Sequence, residues 1–258
     1  MDFTLHVFEK LLKTFIDKGY QFQTFHNFFI SPLSKVVVLR HDVDCRPQNA
    51  LLLAHLEYNL GIKSTYYFRI VKQSFNESII KKIYNLGHEI GYHYEDLALA
   101  KGDFNKAYEL FCNHLEILRN IVPINTICMH GSPISRWDNR LLWKKYDYKK
   151  LNIIGEPYLD IDYTKVMYLT DTGRCWNSNN INIRDKVNSS FNYNFKTTND
   201  IIVFLQQYNF PDKIIINTHP QRWSNNYLFL TKDYFLQQLK NFIKIIINKY
   251  YYKKIIAH

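Results

Sequence analysis

Residues 36–44 have the sequence VVVLRHDVD, and this stretch is the most informative part of the chain. Its apolar opening has the length and β-branched composition of a short buried strand. Asp42 and Asp44 follow at positions i and i+2, so both carboxylates leave the same side of an extended strand. Two negative charges this close repel each other, and one carboxyl pKa rises unless a cation lies beside them. A divalent metal ion would resolve the conflict, with one carboxylate as its ligand and the other as a base; an Asp-rich turn that caps the next helix is the structural alternative.

Strand and helix patterns alternate on both sides of this stretch. Such alternation, with several helices ended by a glycine, is typical of parallel βαβ units. The predicted strands are 36–39, 63–69, 89–93, 124–129 and 213–217, with weaker candidates at 165–170 and 181–184. The predicted helices are 8–16, 50–60, 77–86, 103–122, 199–208 and 232–250. No repeat and no linker rich in Pro, Gly or Ser divides the sequence, so we predict a single α/β domain.

Composition limits the classes of function. The chain has 258 residues, of which 47% are hydrophobic and 16% aromatic, and this content predicts a substantial core. No apolar run reaches the roughly 18 residues of a transmembrane helix. The net charge of +10 favours anionic partners such as nucleotide-linked sugars, phospholipid surfaces or acidic glycans. No nucleic-acid-binding motif is present, so we predict no nucleic-acid partner.

The N-terminus and the cysteines indicate a compartment. The chain begins with MDFT, which has an acid where a secretory signal has a basic region and an apolar stretch. The four cysteines are scattered, without a CxxC pair or the spacing of a disulfide framework: Cys45, Cys112, Cys128 and Cys175. Reduced thiols in a cytoplasmic protein are the expectation.

Residues able to bind metal or transfer protons follow four of the predicted strands. Asp42 and Asp44 end the first, and His93, His130 and His219 each end another. Ligands of parallel α/β folds bind at the C-terminal ends of the strands. Each histidine alone has a structural interpretation, but three at strand ends predict one common site.

At this point the sequence resembles a known family. The segments RHDVD at 40–44, TYYFR at 65–69 and LGHEIGYH at 86–93 are similar to the first half of a polysaccharide deacetylase (NodB-homology) domain. Looser likenesses follow at 129–133, 171–174 and 217–220, so the resemblance covers about residues 36–223. It implies a distorted (β/α) barrel that acts as a metal-dependent de-N- or de-O-acetylase, usually with zinc. The N-terminal and C-terminal helices are then expected to pack on this core.

The resemblance also implies roles for individual residues. Asp42 would be the general base, Asp44 a metal ligand and His93 the first metal-binding histidine, while His219 would be the general acid. These residue types suit the chemistry. Zinc binds imidazole and carboxylate and lowers the pKa of its bound water toward about 7, so that a nearby carboxylate can take the proton.

One departure from the family pattern concerns the second metal-binding histidine, which is expected four residues after the first. The chain has Leu97 there, which cannot bind metal. Glu95 and Asp96 in the same loop and His130 at the next strand end are the candidate substitutes. We favour His130, because a strand-end imidazole would restore a three-ligand site with an open position. His88 begins its strand and is expected to be structural.

A second departure concerns the Arg-Pro type of motif that the family carries after a later strand. Residues 130–133 have the sequence HGSP instead. The resemblance therefore leaves the cation of the site to be supplied from elsewhere, by Arg174 or Arg69. Asp171 is the candidate for orienting His219.

Aromatic and C-terminal segments suggest further contacts. Trp176 and Trp223, together with Trp137, lie near loops that follow site residues, where they either stack on a sugar ring or pack in the core. The segment from Phe242 to Lys254 mixes apolar and basic residues. It is interpreted as a helix that covers the barrel, with peripheral binding to a membrane interface as the alternative.

Two hypotheses about function follow. The first is a cytoplasmic metal-dependent enzyme that removes an acetyl group from an N-acetylated or O-acetylated sugar during surface-polysaccharide biosynthesis, before export of the product. The second is a non-catalytic member of the same fold that binds a glycan or a partner, for which Leu97 is the strongest support.

Overall fold

A computed structural model describes residues 1–131, 135–176 and 187–256, with side chains described up to residue 243. Its strands are β1 (Gln21–Gln23), β2 (Val36–Val43), β3 (Thr65–Phe68), β4 (Glu89–Tyr94), β5 (Ile127–Met129), β6 (Met167–Thr170) and β7 (Lys213–Thr218). Its α-helices are α1 (Leu5–Asp17), α2 (Phe25–Ile30), α3 (Pro47–Asn59), α4 (Glu77–Asn85), α5 (Asp96–Leu99), α6 (Phe104–Arg119), α7 (Pro157–Asp160), α8 (Thr198–Gln207) and α9 (Tyr227–Ile256).

All strand pairs within these residues are parallel, in the order β5-β4-β3-β2-β7-β6, and β1 pairs with the first half of β2. Parallel neighbours need crossover connections, which the helices between them supply. The curled sheet forms a half-barrel, which confirms the predicted α/β class. The single α/β domain was also predicted correctly, whereas the bounds of its core at about 36–223 stay a prediction.

The alternation of side chains along β2 decides what faces the site. Val37 and Leu39 pack outward in a cluster with α1 and α8, whereas Val36 and Val38 pack inward with α2. Because strand side chains alternate, the inward set continues through residues 40 and 42. The outward set continues through His41, whose ring lies 6.2 Å from that of Phe8.

Gly91 in β4 is required by a close approach inside the half-barrel. A Cβ atom at this position would overlap the ring of Tyr67 on the neighbouring strand. The tyrosine ring fills this space, and its hydroxyl donates to Thr126 Oγ1 at 3.0 Å. The glycine of the GHEIGYH segment therefore lets β4 deliver His93 beside β3.

Most predicted elements are present with shifted ends. The helix predicted at 232–250 is longer, since α9 begins at Tyr227, and the strand predicted at 124–129 is shorter, since β5 begins at Ile127. β1 and α2 were not predicted, because both are short. The strand candidate at 181–184 lies outside the described residues.

Up to residue 243, the C-terminal helix α9 packs on the fold along one side. Leu230 is buried, Asn241 donates to the carbonyl of Gly173 at 2.8 Å, and Asp233 pairs with Arg174 at 2.7 Å. The described part of the chain contains no helix long and apolar enough to span a bilayer. That the segment from Phe242 to Lys254 covers the barrel stays a prediction, because most of it lies beyond the residues whose side chains are described.

Candidate active site

The C-terminal edge of the sheet brings the strand-end residues together. Asp44 lies at their centre: its Oδ1 is 3.3 Å from His130 Nε2 and 3.7 Å from His93 Nε2, and its Oδ2 is 3.9 Å from His219 Nε2. Asp42 also reaches this cluster, with Oδ2 at 3.8 Å from His93 Nε2. Four separate strands therefore supply one site, because parallel strands end at the same edge.

Asp44, His93 and His130 form a candidate metal centre. One ligand atom from each lies within 4.8 Å of the others. His93 Nδ1 lies 2.9 Å from the carbonyl oxygen of Cys128, an arrangement that fixes the ring and leaves Nε2 free to bind metal. Asp44 Oδ1 is buried and, among the described residues, accepts no hydrogen bond. Two imidazoles, one carboxylate and an unsatisfied oxygen fit a divalent ion such as zinc.

The charges of this centre suit a cation. Burial lowers the pKa of His93 well below its usual value, and the charge of His130 adds to the effect. Burial likewise lowers the pKa of His130. Burial alone would raise the pKa of Asp44, but the surrounding imidazoles outweigh it and the pKa is lowered. The centre therefore offers neutral imidazoles and an ionised carboxylate, the protonation states in which these groups bind metal.

A second group of possible ligand atoms consists of Asp42, His93 and Cys128. All three residues are buried, and Asp42 is already held by other partners. Its Oδ1 accepts from Arg40 Nε at 2.8 Å, and its Oδ2 accepts from Arg40 Nη2 at 2.7 Å and from Asn217 Nδ2 at 3.1 Å. The ion pair occupies both oxygens of Asp42, so the group around Asp44 is the better metal site.

His219 is held by Asp171. Its Nδ1 lies 2.6 Å from Asp171 Oδ1, and its backbone N–H donates to Oδ2 at 3.0 Å. Arg222 and the indole N–H of Trp223 bind the same carboxylate at 2.9 Å each. Burial alone would raise the pKa of Asp171, but Arg222 and His219 outweigh it and the pKa is lowered. An ionised Asp171 holds Nδ1–H and turns Nε2 of His219 toward Asp44.

The structure separates the three candidates for the third metal ligand. His130 joins the Asp44 cluster. Glu95 lies behind it, with Oε2 at 3.3 Å from His130 Nδ1 and Oε1 accepting from Arg69 at 2.9 and 2.5 Å. Asp96 turns away and accepts from a buried tyrosine hydroxyl at 2.8 Å. Leu97 is buried in the core.

The predicted cation needs correction. Arg174 forms an ion pair with Asp233 and donates to the carbonyl of Arg222 at 2.8 Å, so it serves α9 rather than the carboxylates of the site. Arg69 forms an ion pair with Glu95, not with Asp42. The guanidinium beside Asp42 belongs to Arg40, which was not among the residues predicted to supply the cation of the site. The signal was present, because residues at i and i+2 of a strand share a face.

The predicted sugar-stacking tryptophans also need correction. Trp176 is 5% exposed and Trp223 is fully buried, and their rings pack together with Phe3. Neither face is open to a sugar, so the alternative of core packing holds. Trp223 contributes to the site indirectly, through its hydrogen bond to Asp171.

Solvent reaches the site on the side of Asp44. The side chain of Asp44 is 25% exposed, that of His130 15% and that of His219 10%. Gln221, another residue that the sequence analysis missed, donates to Asp44 Oδ2 at 3.3 Å. His88 lies apart, buried against Ser64 as expected for a structural histidine.

No protein-family model matches this sequence. No curated protein matches it either. Several solved structures have a similar overall fold. A CE4 esterase from Streptococcus mutans is 12% identical, with a TM-score of 0.46 over 88% of this chain and 89% of that one. The Bc1960 peptidoglycan N-acetylglucosamine deacetylase is 18% identical, with a TM-score of 0.41 over 83% and 81% of the two chains.

A mutant of the peptidoglycan deacetylase PdaC from Bacillus subtilis is 12% identical, with a TM-score of 0.42 over 88% of this chain and 98% of that one. The activities named for these three neighbours are their own. At such identities and TM-scores the likenesses assign neither an activity nor a substrate to this chain.

Proposed function

We propose that this protein is a metal-dependent hydrolase that removes the acetyl group from an N-acetylated or O-acetylated sugar. The observation that carries the proposal is the grouping of Asp44, His93 and His130 within ligand distance of one another, beside a carboxylate and an imidazole placed for proton transfer. The family resemblance of the sequence motifs supplies the reaction class. A role in surface-polysaccharide biosynthesis and a cytoplasmic location belong to the same proposal.

Asp44, His93 and His130 would hold the metal ion, with zinc as the first choice for this donor set. When bound, such an ion polarises the acyl carbonyl and makes water more acidic. The residues of the chain supply the remaining chemistry. They bind and orient the acetylated sugar, accept a proton from the attacking water and deliver one to the leaving group.

Asp42 is the residue that accepts the proton from water. Its position at the edge of the metal centre brings its Oδ2 within 3.8 Å of His93 Nε2. The Arg40 guanidinium and the Asn217 amide hold the Asp42 carboxylate in one orientation, so this side chain does not have to be ordered when the substrate binds.

His219 is the residue that delivers a proton to the leaving nitrogen or oxygen. Asp171 fixes its Nδ1–H, which leaves Nε2 toward the side of the cluster that solvent reaches. The ionised Asp171 also stabilises the protonated imidazole that acts as the acid. Asp42 thus reaches the cluster beside His93, and His219 reaches it beside Oδ2 of Asp44, so each proton transfer has its own group.

The alternative function is a glycan-binding or partner-binding protein without hydrolysis. Leu97 at the position of the usual second histidine favours it. His130 opposes it, because a third ligand from the next strand end completes a set of the same size as that of a catalytic zinc site.

The deciding experiment combines metal analysis with product detection. Purified protein is loaded with zinc, desalted and analysed for metal per chain, and acetate release is then measured from a soluble N-acetylglucosamine oligomer and an O-acetylated xylan. One metal ion per chain with acetate release from either substrate supports the hydrolase. Metal-free protein that binds the oligomer without acetate release supports the alternative.

A further inference from the structure

Helix α9 carries a row of large apolar side chains that face solvent. We define the outer face of α9 as the set Leu228, Phe235, Leu236, Leu239, Phe242 and Ile243. The exposed fraction of these residues ranges from 48% to 86%. Their spacing of one, three, four and seven residues places them on about a third of the helix circumference.

The opposite side of the same helix makes the contacts with the fold. Leu230 and Asn241 are buried there, and both lie roughly half a turn away from the centre of the outer face. A helix that packs on a soluble protein normally directs its apolar stripe toward the core and its polar residues outward. In the described part of α9 this arrangement is reversed, and contiguous exposed apolar surface of this kind marks an interaction site.

The charges of the helix identify the partner. Residues 227–256 contain a single acidic residue, Asp233, and its carboxylate is already paired with Arg174. The same segment contains six lysines: Lys232, Lys240, Lys244, Lys249, Lys253 and Lys254. Lys232 lies within the arc of the outer face and Lys240 at its margin.

Apolar and cationic groups on one helix are complementary to a membrane surface that contains anionic lipids. Apolar side chains enter the boundary between headgroups and acyl chains, and lysine heads remain at the level of the phosphates. A second copy of this chain would bring like charges together, on molecules that already carry a net charge of +10. The lipid surface therefore fits the outer face better than a homodimer does.

The first turn of α9 also lies beside the candidate active site. Phe229 packs under the guanidinium of Arg46 at 4.3 Å, and Arg46 lies two residues after Asp44. The first turn of α9 therefore packs against the segment that follows Asp44.

We propose that the outer face of α9 docks the protein on the surface of an anionic phospholipid membrane. The helix lies along the interface with its apolar side chains inserted and its lysines at the headgroups. The docking does not depend on the proposed hydrolase activity, but it would bring the protein to membranes that carry lipid-linked acetylated sugars.

The test is sedimentation of the purified full chain with two kinds of vesicle, phosphatidylcholine alone and phosphatidylcholine mixed with phosphatidylglycerol. We expect binding to the mixed vesicles only, and we expect it to weaken when salt is raised from about 0.15 to 1 M, where the Debye length falls from about 8 to 3 Å. Equal binding to both vesicles, or to neither, overturns the proposal.

Two variants locate the surface. Phe235→Gln/Leu239→Gln/Phe242→Gln should reduce binding to background, and Lys232→Gln/Lys240→Gln should weaken it on the order of thirtyfold, at about 1 kcal/mol per charge removed. The matched control is Leu52→Gln/Tyr58→Gln/Ile117→Gln, which removes three exposed apolar side chains from α3 and α6. Binding that survives in the α9 variants, or is lost in the control, contradicts the proposal.

Two further measurements separate the alternatives. Analytical ultracentrifugation of the parent protein should show a monomer, and a dimer that the triple α9 variant dissociates would assign the outer face to a second copy. Acetate release from a soluble acetylated sugar should be the same in the triple variant and the parent. Absence of vesicle binding with acetate release intact would therefore refute the docking alone, and vesicle binding without acetate release would refute the hydrolase alone.

Discussion

Arg40 and Asp42 leave the same face of β2 and form a buried ion pair, with Arg40 Nε at 2.8 Å from Asp42 Oδ1 and Nη2 at 2.7 Å from Oδ2. Arg40 is fully buried and Asp42 is 4% exposed. Burial alone would lower the pKa of Arg40, but Asp42 together with the nearby Cys128, Tyr158 and Tyr168 outweighs it, and the pKa is raised well above its usual value. Asp42 thus serves both the stability of the fold and the proposed chemistry.

Asp42→Asn should reduce both the rate of acetate release and the free energy of unfolding. The amide keeps the shape of the side chain and removes its basicity, so acetate release should fall on the order of 10²–10⁴-fold. It also leaves a buried guanidinium without its counter-charge, at a cost of about 3–5 kcal/mol in the free energy of unfolding. Rates are measured below the melting transition, together with metal content, which should not change.

Glu57→Gln is the control for Asp42→Asn. Glu57 is fully buried on the outward side of β2 and pairs with His41 at 2.7 Å, so its loss also removes a buried charge. In Glu57→Gln the free energy of unfolding should fall, while the rate of acetate release per folded molecule should equal that of the parent. A parental rate in Asp42→Asn would refute the proposed base.

His130→Ala should abolish retention of zinc, as should Asp44→Ala and His93→Ala, because each removes one of three ligands. His114→Ala is the control, since this histidine pairs with Asp96 at 2.7 Å outside the cluster. Metal per chain after desalting is the measurement. Full occupancy in His130→Ala would show that the third ligand is another group.

Glu95→Gln should weaken zinc binding about 10–100-fold without abolishing it. Glu95 lies 3.3 Å from Nδ1 of His130 and is anchored by Arg69, the position of a group that orients a metal ligand and raises its basicity. Competition with a chelator of known affinity measures the effect. Asp96→Asn, next in sequence but turned away from the cluster, should leave the affinity unchanged. A loss as large as that of His93→Ala would make Glu95 a ligand.

His219→Gln should depend on the leaving group. Release of acetate from an N-acetylated sugar, whose amine must be protonated, should fall on the order of 10²–10⁴-fold. Hydrolysis of 4-nitrophenyl acetate, whose leaving group departs without an acid, should fall far less. Equal losses on both substrates would indicate a structural role, and loss of metal would indicate a ligand.

Glu156 should make stability depend on pH. It is fully buried, and burial raises its pKa from 4.5 to about 7. Between these values the folded protein binds a proton that the unfolded chain releases, so the contribution to stability is present at low pH and lost as pH rises through 7. Urea unfolding should show a loss of about 2–3 kcal/mol from this group between pH 5 and pH 8.

Glu156→Gln should remove this part of the pH dependence, because the amide does not titrate. The parent and the variant are compared at the same two pH values, so that other titrating groups cancel. An unchanged pH dependence in the variant would refute the assignment to Glu156.

Much of the site was accessible from local patterns. The alternation of strands and helices predicted a parallel sheet, and parallel strands share one C-terminal edge, so Asp42, Asp44, His93, His130 and His219 were expected together. The position of a residue at the end of a strand can be predicted once the strand and its direction are known. β1 and α2 were not predicted, because each is short and is held by residues distant in sequence. In α2, for example, the backbone N–H of His26 donates to Glu89 at 2.9 Å.

Periodicity within each segment was enough to predict the class of fold, the edge of the sheet that carries the site and the residue types that meet there. The neighbours of those residues were set by the tertiary fold. It paired Arg174 with Asp233, set Glu95 behind His130 and buried Trp223. These outcomes depend on how side chains from distant segments share space and satisfy one another's charges and hydrogen bonds, and no local pattern encodes that.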